Sequence, residues 1–396
     1  MRNRDSCAIV GIGATEFSKE SGRSEMRLAL EAITNALHDA GIAPHTVNGL
    51  VTFSMDNNEE VAVQRSLGIE RLTFFAHSGY GGGGGCSTVE LAEMAIICGK
   101  ADVVVCYRAM NERSQSRFGQ PVGESSGGLK TALTPSWDID LSWSLPYGMS
   151  TPGAQMAQAA QRYLYQYGAT SETFARVAVN QRNYAVTNPN AYFHGRPITI
   201  EDHQNSRLIA DPLRLLDCCQ ESDGGVAVVV TSLERARDLK QKPIQILGSA
   251  QGSGRLTLHG LASPYVDNLA AAFETKVVAD QLWAQTGLTP ADIDVANLYD
   301  HFSCAVVMQL EALGFCGLGE APGLIAEGGL AIDGQIPTNT NGGQLSEAYM
   351  HGFNGIAELV RQLRGTAINQ VRDAKLGVAT SGSHVPTSGL VLGAVD

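Results

Sequence analysis

The sequence has little positive charge and no long apolar segment. It carries 28 Lys and Arg against 40 Asp and Glu among 396 residues, so the net charge is −12. A nucleic-acid surface needs clustered Lys and Arg, and this acidic balance argues against one. No stretch approaches the roughly 18 apolar residues of a membrane helix. The start, MRNRDSCAIVGIG, has no apolar segment long enough for a signal peptide, so we expect a cytoplasmic protein.

Paired cysteine motifs are also missing. The chain has eight cysteines but no C-x-x-C spacing, and most of them stand in apolar runs. Buried thiols in a reducing compartment fit this pattern better than disulfides or zinc ligands. We therefore expect no metal site. The cysteines are Cys7, Cys86, Cys98, Cys106, Cys218, Cys219, Cys304 and Cys316.

Neither glycine motif of the first hundred residues is a nucleotide site. Gly11 and Gly13 fail as a dinucleotide fingerprint because Glu16 holds the third glycine position. The run Gly81–Gly85 lacks the Gly-Lys-Ser/Thr of a phosphate-binding loop. The run joins a predicted strand directly to a helix that begins near Cys86, which disfavours a flexible linker. It predicts a tight turn whose free N–H groups face a ligand at the helix N-terminus, as in an oxyanion hole.

Apolar runs alternate with segments of helical period, which indicates an α/β protein with crossover helices. The same course runs twice, over 1–107 with 224–240 and again over 241–396. Residues 108–223 form a long insertion between them, and such a connection typically lines or covers a site. The predicted strands are 7–13, 48–53, 73–77, 101–107, 224–232, 244–252, 292–299, 375–382 and 388–395, and the predicted helices are 24–41, 86–98, 153–167, 171–187, 266–286, 303–313 and 353–364.

Four segments together resemble the sterol-carrier-type thiolases over nearly the whole chain. They are GGGGCSTVELAEMAIICGKADVVV (82–105), PLRLLDCCQESDGGVAVVVTS (212–232), NLYDHFS (297–303) and NGGQLSEAYMHGFNG (341–355). The resemblance implies the thiolase fold, with duplicated βαβαβαββ halves in a five-layer αβαβα stack and a long loop insertion.

The departures from that family concern its reactive residues. Gly82 stands where the family has its nucleophilic cysteine, Tyr299 and Tyr349 stand at two histidine positions, and Thr380 replaces the cysteine of a Cys-x-Gly motif. Thiolytic and Claisen chemistry need an activated thiolate, so an acyl-enzyme is not expected. Cys86, one turn into the helix, is either a packing residue or a displaced nucleophile.

This pattern resembles the aldolase branch of lipid-transfer-type thiolase homologues, which cleave steroid side chains in actinobacterial catabolism. The resemblance implies a carbon–carbon lyase that splits a steroid 17-hydroxy-20-carboxyl-CoA ester into a 17-ketosteroid and propionyl-CoA. CoA is part of the substrate, and no separate cofactor is expected. Tyr299 or Tyr349 would take the hydroxyl proton, and His301 and His351 would be relays. The expected oxyanion and substrate contacts are Gly82, Gly83 and Gly382.

Each of these roles has a plainer alternative, which is aromatic packing for the tyrosines and structural hydrogen bonding for the histidines. Two other functions also remain open: a thiolase that uses Cys86, and a non-catalytic lipid or acyl-CoA carrier. The resemblance further implies a homodimer and a small partner with an OB-fold and a zinc ribbon, belonging to the steroid hydratase. The residues that bind the CoA phosphates stay open among the basic candidates Arg113, Arg117, Lys130 and Arg255.

Overall fold

The computed structural model describes residues 7–54, 56–115, 117, 144–257 and 266–395. The strands are β1 Cys7–Ala14, β2 Gly49–Phe53, β3 Phe74–Ser78, β4 Val103–Asn111, β5 Leu208–Ala210, β6 Leu213–Arg214, β7 Asp223–Ser232, β8 Ile244–Gly252, β9 Val295–Asn297, β10 Leu376–Ser381 and β11 Thr387–Ala394. The helices are α1 Glu25–Ala40, α2 Glu60–Leu67, α3 Gly85–Ile97, α4 Pro152–Tyr167, α5 Ser171–Thr187, α6 Ile200–Asn205, α7 Leu233–Ala236, α8 Phe273–Thr286, α9 Ser303–Leu313, α10 Ala321–Ala326, α11 Gly343–Ser346 and α12 Phe353–Arg364. Within these ranges no helix is both long and apolar enough to cross a membrane.

The duplication predicted from the sequence is visible in the strand pairing. Nine strands form one sheet in the order β3-β2-β4-β7-β1-β8-β11-β10-β9. In the first half, β1 pairs antiparallel with β7, β7 antiparallel with β4, and β4 parallel with β2. In the second half, β8, β11, β10 and β9 repeat this sequence of pairings. The halves meet at β1 and β8, which share only two residue pairs.

Three hydrophobic cores separate the layers of the molecule. In β1, Cys7 and Ile9 point into a central core, whereas Ala8 and Val10 face α1 in an outer core. The central core also holds α3, α12 and side chains from both half-sheets. Strand β11 divides in the same way between this core and a second outer core under α8 and α9. The layers are therefore α1, half-sheet, α3 with α12, half-sheet, and α8 with α9, which agrees with the predicted five-layer stack.

The insertion is anchored on the second half of the chain. Met156, Tyr163 and Phe174, from α4 and α5, are buried in the same core as α8 and α9. Helix α4 begins at Pro152, where the Thr151 hydroxyl accepts the Ala154 N–H at 3.2 Å. Residues 118–143 of the predicted insertion lie outside the described residues. The sequence-based bounds of α4 and α5 were right to within one residue.

Gly11 and Gly13, which fail as a nucleotide motif, serve the packing of helix on sheet. A Cβ at Gly13 would overlap the α1 backbone at Ala32 and Ala36, and one at Gly11 would overlap the Ala36 carbonyl. Strand β1 thus lies in direct contact with the backbone of α1. No larger residue fits there unless the helix moves.

We expect Gly13→Ala to lower the free energy of unfolding by about 1–3 kcal/mol, because the added methyl meets backbone rather than a side chain that can rotate away. Chemical denaturation of the two proteins measures this difference. Gly323→Ala is the matched control, since Gly323 lies within α10 with nothing inside 4 Å of the added Cβ. The control should be neutral or slightly stabilising. Equal effects of the two substitutions would contradict the packing role.

Candidate active site

Two tyrosines meet between the half-sheets, as the sequence predicted for the two substituted histidine positions. Tyr299 follows β9, and Tyr349 lies in the loop between α11 and α12. Their hydroxyl oxygens are 2.9 Å apart and form a hydrogen bond. Tyr299 is 3% exposed, whereas Tyr349 is only partly buried. The pair therefore presents one enclosed phenol and one that is open to a ligand.

Gly82 lies directly beneath the Tyr299 hydroxyl. A Cβ built on Gly82 would overlap that oxygen, and it would also lie 2.7 Å from the carbon bearing it. The space that a side chain at position 82 would need is thus filled by a phenol. Gly82 and Tyr299 depend on each other, and a cysteine at position 82 is incompatible with the present position of the Tyr299 ring.

The glycine run forms the predicted turn, but fewer of its amides are free than expected. Residues Gly81–Gly84 make a 3-10 turn, in which the Gly83 N–H donates to the Tyr80 carbonyl at 3.1 Å. Gly382 packs against this turn, since its Cβ would lie 2.7 Å from the Gly83 Cα. The three predicted glycines are therefore brought together. Gly83 is the weakest candidate of the three as an oxyanion donor, because its amide already has an acceptor.

The N-terminus of α3 is capped by the second half of the chain, which corrects the expectation of free amides there. The Cys86 N–H donates to the Ser381 hydroxyl at 3.0 Å, and the Ser87 N–H donates to the Ser388 hydroxyl, also at 3.0 Å. Ser388 in turn donates to the Gly83 carbonyl at 2.5 Å. These bonds hold the glycine turn against β10 and β11.

Cys86 is a packing residue in this structure. Its side chain is fully buried, and its thiol lies 3.2 Å from the Ser381 hydroxyl, which donates to it. Burial raises the pKa of the Cys86 thiol to about 12. A nucleophilic cysteine needs a lowered pKa and access to substrate, and Cys86 has neither.

Both predicted histidines pack against the tyrosine pair. Ring centroids are 5.1 Å apart for Tyr299 and His301, and 4.3 Å apart for Tyr349 and His351. Burial lowers the pKa of His301 to about 3, and neither of its ring nitrogens has a hydrogen-bond partner among the described residues. Burial and the neighbouring Arg108 charge lower the pKa of His351 well below its usual value. Both imidazoles are therefore neutral.

Arg108 is a site residue that sequence reasoning missed. It points inward from β4, is fully buried, and donates from Nε and Nη2 to His351 Nδ1 at 3.1 and 2.8 Å. The nearest carboxylate oxygen, of Asp56, is 3.9 Å away, so the pair has no direct hydrogen bond. The available signal was an arginine inside the apolar strand VVVCYRAM, where strand alternation places it on the same face as the core residues Val104 and Cys106.

Glu112, which follows β4 on the same face as Arg108, was missed as well. It is 1% exposed, and neither carboxyl oxygen has a hydrogen-bond partner among the described residues. Burial raises the pKa of Glu112 well above its usual value, and the Arg108 charge only partly opposes this. Buried carboxyls without a partner are rare and costly, so the position invites a functional explanation.

The site gives the two phenols unequal surroundings. Burial raises the pKa of Tyr299 well above its usual value, while the hydrogen bond from Tyr349 and the charge of Arg108 act in the opposite direction. Burial also raises the pKa of Tyr349, and there Tyr299 adds to the increase. Arg108 and the bond to Tyr349 therefore favour ionisation of Tyr299, and burial opposes it.

The end of the insertion is bonded to both tyrosine segments. The Cys219 N–H donates to the His301 carbonyl at 2.9 Å, and the Tyr349 N–H donates to the Ser222 hydroxyl at 3.3 Å. At the start of α4, a Cβ on Gly153 would lie 3.8 Å from the Phe302 ring. The insertion thus forms part of the site, as its length predicted.

Behind the tyrosine pair, polar side chains fix the Tyr299 backbone. The Tyr299 N–H donates to the Thr380 hydroxyl at 3.0 Å, and Gln309 Nε2 donates to the Tyr299 carbonyl at 2.7 Å. Thr380 donates in turn to Gln309 Oε1 at 2.6 Å. Thr380, at the position of the family's acid/base cysteine, therefore supports the phenol. Across the ranges that the structure covers, no group of three His, Cys, Asp or Glu could hold a metal ion.

Of the candidates for the CoA phosphates, Lys130 lies outside the described residues. Arg117 Nε donates to Glu221 at 2.7 Å, which commits that guanidinium at least in part to an ion pair. No contact in the structure assigns Arg113 or Arg255 to a phosphate. The phosphate-binding residues stay open.

Comparison with protein families and known proteins agrees with this geometry. A model of the thiolase N-terminal domain matches residues 7–234, and a model of a thiolase C-terminal domain-like family matches residues 263–392. The chain is 57% identical over 391 residues to the 17-hydroxy-3-oxo-4-pregnene-20-carboxyl-CoA lyase of Mycobacterium tuberculosis, covering 98% of each chain. It is 55% identical over 389 residues to a steroid side-chain-cleaving aldolase of Thermomonospora curvata, covering 98% of this chain and 97% of the relative.

A solved structure of similar sequence shares the fold over its full length. The structure named Ltp2-ChsH2(DUF35) aldolase superposes with a TM-score of 0.91 at 54% identity, covering 98% of both chains. Together with the duplicated pairing pattern, these matches confirm the predicted thiolase fold. The chain belongs to the thiolase superfamily, in the branch that contains the steroid side-chain-cleaving aldolases.

Proposed function

We propose that this chain is an aldolase that splits a steroid 17-hydroxy-20-carboxyl-CoA ester into a 17-ketosteroid and propionyl-CoA. The observation that carries this proposal is the phenol pair above Gly82, in a thiolase fold without a nucleophile. The names of two relatives that are more than half identical to the chain agree with the expected carbon–carbon lyase and its CoA thioester.

The reaction needs a base and a proton donor but no oxidant and no nucleophile. One phenol, as phenolate, removes the proton of the tertiary hydroxyl on ring carbon 17. The electron pair of the bond between that carbon and the side-chain α carbon moves onto the thioester, so the ring carbon becomes a ketone and the thioester an enolate. The α carbon then takes up a proton to give propionyl-CoA. The proton lost from the hydroxyl equals the proton gained by carbon, so the pair can return to its starting state.

A phenol that acts as a base must ionise in a site where burial opposes ionisation. The unperturbed pKa of tyrosine is about 10, so both a hydrogen-bond donor and a positive charge are needed to help. Either hydroxyl can donate across the 2.9 Å contact, and in this assignment Tyr349 donates to Tyr299, with Arg108 as the neighbouring cation. We propose Tyr299 as the base and the more exposed Tyr349 as the group that orients the substrate and passes on the proton. The predicted relay role remains proposed for His301, whereas His351 is proposed as a neighbour that supports the pair, because its Nδ1 already accepts from Arg108.

The enolate oxygen requires donors that are already in place, and each such donor contributes about 3–4 kcal/mol when its loss is measured. We propose that backbone N–H groups around Gly82 and Gly382 make this contact. Gly83 would only help to form the turn, because its N–H already donates to the Tyr80 carbonyl. The closed turn supports this assignment because it holds the glycine backbone rigidly beside the Tyr299 hydroxyl.

The two alternative functions fit the site less well. A thiolase would need a reactive cysteine, but Cys86 is buried and protonated. A passive acyl-CoA carrier would not need a buried arginine and a buried acid beside two hydrogen-bonded phenols, because such groups cost stability. Both observations favour a catalyst.

We also propose a DUF35 partner and a homodimer. The similar solved structure is, by its name, an assembly with ChsH2(DUF35). The resemblance to the aldolase branch further implies that this partner carries an OB-fold and a zinc ribbon. For the dimer, β3 is the edge strand of the first half-sheet, and its Phe75 is 60% exposed. An edge with an exposed aromatic residue suits pairing with a second copy.

The decisive experiment is incubation of the purified chain with a 17-hydroxy steroid side-chain CoA ester, with and without its DUF35 partner. Mass spectrometry should detect propionyl-CoA and the 17-ketosteroid in equal amounts. Uncleaved ester in both incubations, or an acyl group attached to the protein, would overturn the proposal.

We expect Tyr299→Phe and Tyr349→Phe each to lower kcat at least about a hundredfold, because each removes an acid–base group. Binding of the CoA ester should change little, and titration calorimetry with the inactive variants checks this. Tyr184→Phe is the matched control, since the Tyr184 hydroxyl donates to the Leu330 carbonyl at 3.0 Å, outside the site. The control should lose some stability and keep its activity. Full activity in both site variants would discard the assignment.

Glu112 predicts a pH dependence of stability. Its folded-state pKa is raised by burial, so the folded chain holds a proton that the unfolded chain releases near pH 4. The contribution of this bound proton to folding stability is fully present below the unfolded-state pKa and is lost as pH rises toward the folded-state pKa. Glu112→Gln, which stays neutral, should therefore gain stability relative to the native chain between about pH 5 and pH 8. Thermal unfolding across that range measures the difference, and a difference that does not change with pH would show that Glu112 is already ionised.

A further inference from the structure

Arg108 brings a buried positive charge to the tyrosine pair without a matching hydrogen-bonded anion. It is fully buried, and its Nη1 has no hydrogen-bond partner among the described residues. The Asp56 carboxylate, 3.9 Å away, accepts instead from the Asn58 and Ala109 backbone N–H groups at 2.7 and 2.6 Å. Burial of an arginine without a hydrogen-bonded anion has a large desolvation cost in free energy. Arg108 Nη2 also contacts the Met110 sulfur at 2.7 Å, and the guanidinium lies 5.7 Å from the centre of the Phe53 ring.

The contact with His351 determines the proton position on that ring. A guanidinium only donates hydrogen bonds, so His351 Nδ1, which lies 3.1 Å from Nε and 2.8 Å from Nη2 of Arg108, must accept. The ring is therefore neutral, with its proton on Nε2. His351 can donate from Nε2 but has no free site at which to take up a proton.

His351 in turn holds Tyr349. The two ring centroids are 4.3 Å apart, and Phe53 closes the other side of the imidazole with its centroid at 5.8 Å. The backbone of His351 has φ +49°, a left-handed conformation that costs free energy in any residue but glycine. Contacts from Arg108 and Phe53 hold it there. The orientation of the Tyr349 ring is thus tied to Arg108 through His351.

Arg108 reaches the phenols through His351, which accepts from its Nη2 at 2.8 Å and whose ring lies 4.3 Å from that of Tyr349, and its charge favours ionisation of Tyr299. Glu112 and Cys219 would oppose ionisation of both phenols only in their charged forms, which burial disfavours, and the hydrogen bond to Tyr349 favours ionisation of Tyr299. Five segments of the chain contribute titratable or charged groups around Arg108 and the tyrosine pair. These groups are Asp56, Glu112, Cys219, His301 and His351.

We propose that Arg108 is a positioning residue of the aldolase site, with two separable actions. Through its hydrogen bonds it fixes His351 as the Nε2–H tautomer and thereby sets the ring of Tyr349. Through its charge it stabilises the phenolate form of Tyr299. The second action rests on the proposed retro-aldol function, whereas the first can be observed without any substrate.

Three variants separate the two actions. Arg108→Lys keeps the charge, and Arg108→Gln keeps a donor for His351 but removes the charge. Arg108→Met removes both, and it is combined with Asp56→Asn to avoid an unpaired carboxylate.

Loss of the cation should raise the pKa of the phenol that must ionise. The acidic limb of the kcat–pH profile should therefore move up by roughly one unit or more in the Gln and Met variants, and kcat near neutral pH should fall at least about tenfold. The limb should stay in place in the Lys variant.

Arg364→Met is the matched control. Arg364 is also largely buried and paired with a carboxylate, Asp39 at 2.7 Å, but it lies at the end of α12 away from the phenols. Its loss should reduce stability without moving the limb. The electrostatic action would be overturned if the acidic limb of the kcat–pH profile lay at the same pH in the native chain, in Arg108→Gln and in Arg364→Met.

A second measurement keeps the proposal testable if the Arg108 variants do not fold. Nitrogen-15 spectra of the histidine-labelled native chain, with His351→Asn for assignment, should show His351 as the neutral Nε2–H tautomer from about pH 6 to pH 9. An imidazolium or an Nδ1–H tautomer would overturn the positioning action. Ultraviolet difference titration of the native chain against Tyr299→Phe reports the phenolate directly. Because neither spectrum needs turnover, a chain that cleaves no steroid ester would refute the proposed function and leave this test intact.

Discussion

The site depends on one steric fact: the Tyr299 hydroxyl occupies the space that a side chain at position 82 would need. The resemblance to thiolases implies a nucleophilic cysteine at this position. Here the loops of the site close around a phenol that is hydrogen-bonded to a second phenol. The absence of a side chain at position 82 and the placement of the phenol are therefore a single structural change, and under the proposed function the surrounding backbone stabilises an enolate rather than an acyl-enzyme.

The remaining groups follow from the burial that this arrangement causes. Two phenols placed between half-sheets lose solvation, which raises the pKa of both. A phenolate in such a place needs a counter-charge. The Arg108 guanidinium, on β4, is a cation near the phenols and favours ionisation of Tyr299. Burial that keeps Glu112 protonated also removes a negative charge that would oppose ionisation. Arginine, acid and phenols are best understood as one electrostatic unit.

Much of the fold could be predicted from the sequence, because its helices are strongly periodic and its strands are apolar runs. Helices α9 and α12 and strand β8 begin and end at the predicted residues. Tyr299 and Tyr349 were found because they stand at motif positions. Arg108 and Glu112 were not, since their importance arises from burial and from the absence of partners, which only packing reveals. The capping of α3 by Ser381 and Ser388 was missed for a similar reason: the residues are about 300 positions away in the chain.

That capping also bears on how the protein is made. The glycine turn and the first amides of α3 are satisfied by hydroxyls from β10 and β11, which follow about 300 residues later in the chain. The helix start beneath the Tyr299 hydroxyl therefore gains these partners only after the second half of the chain has been made. A polypeptide that stopped before β10 would thus lack the hydroxyls that hold the glycine turn and the start of α3 in place.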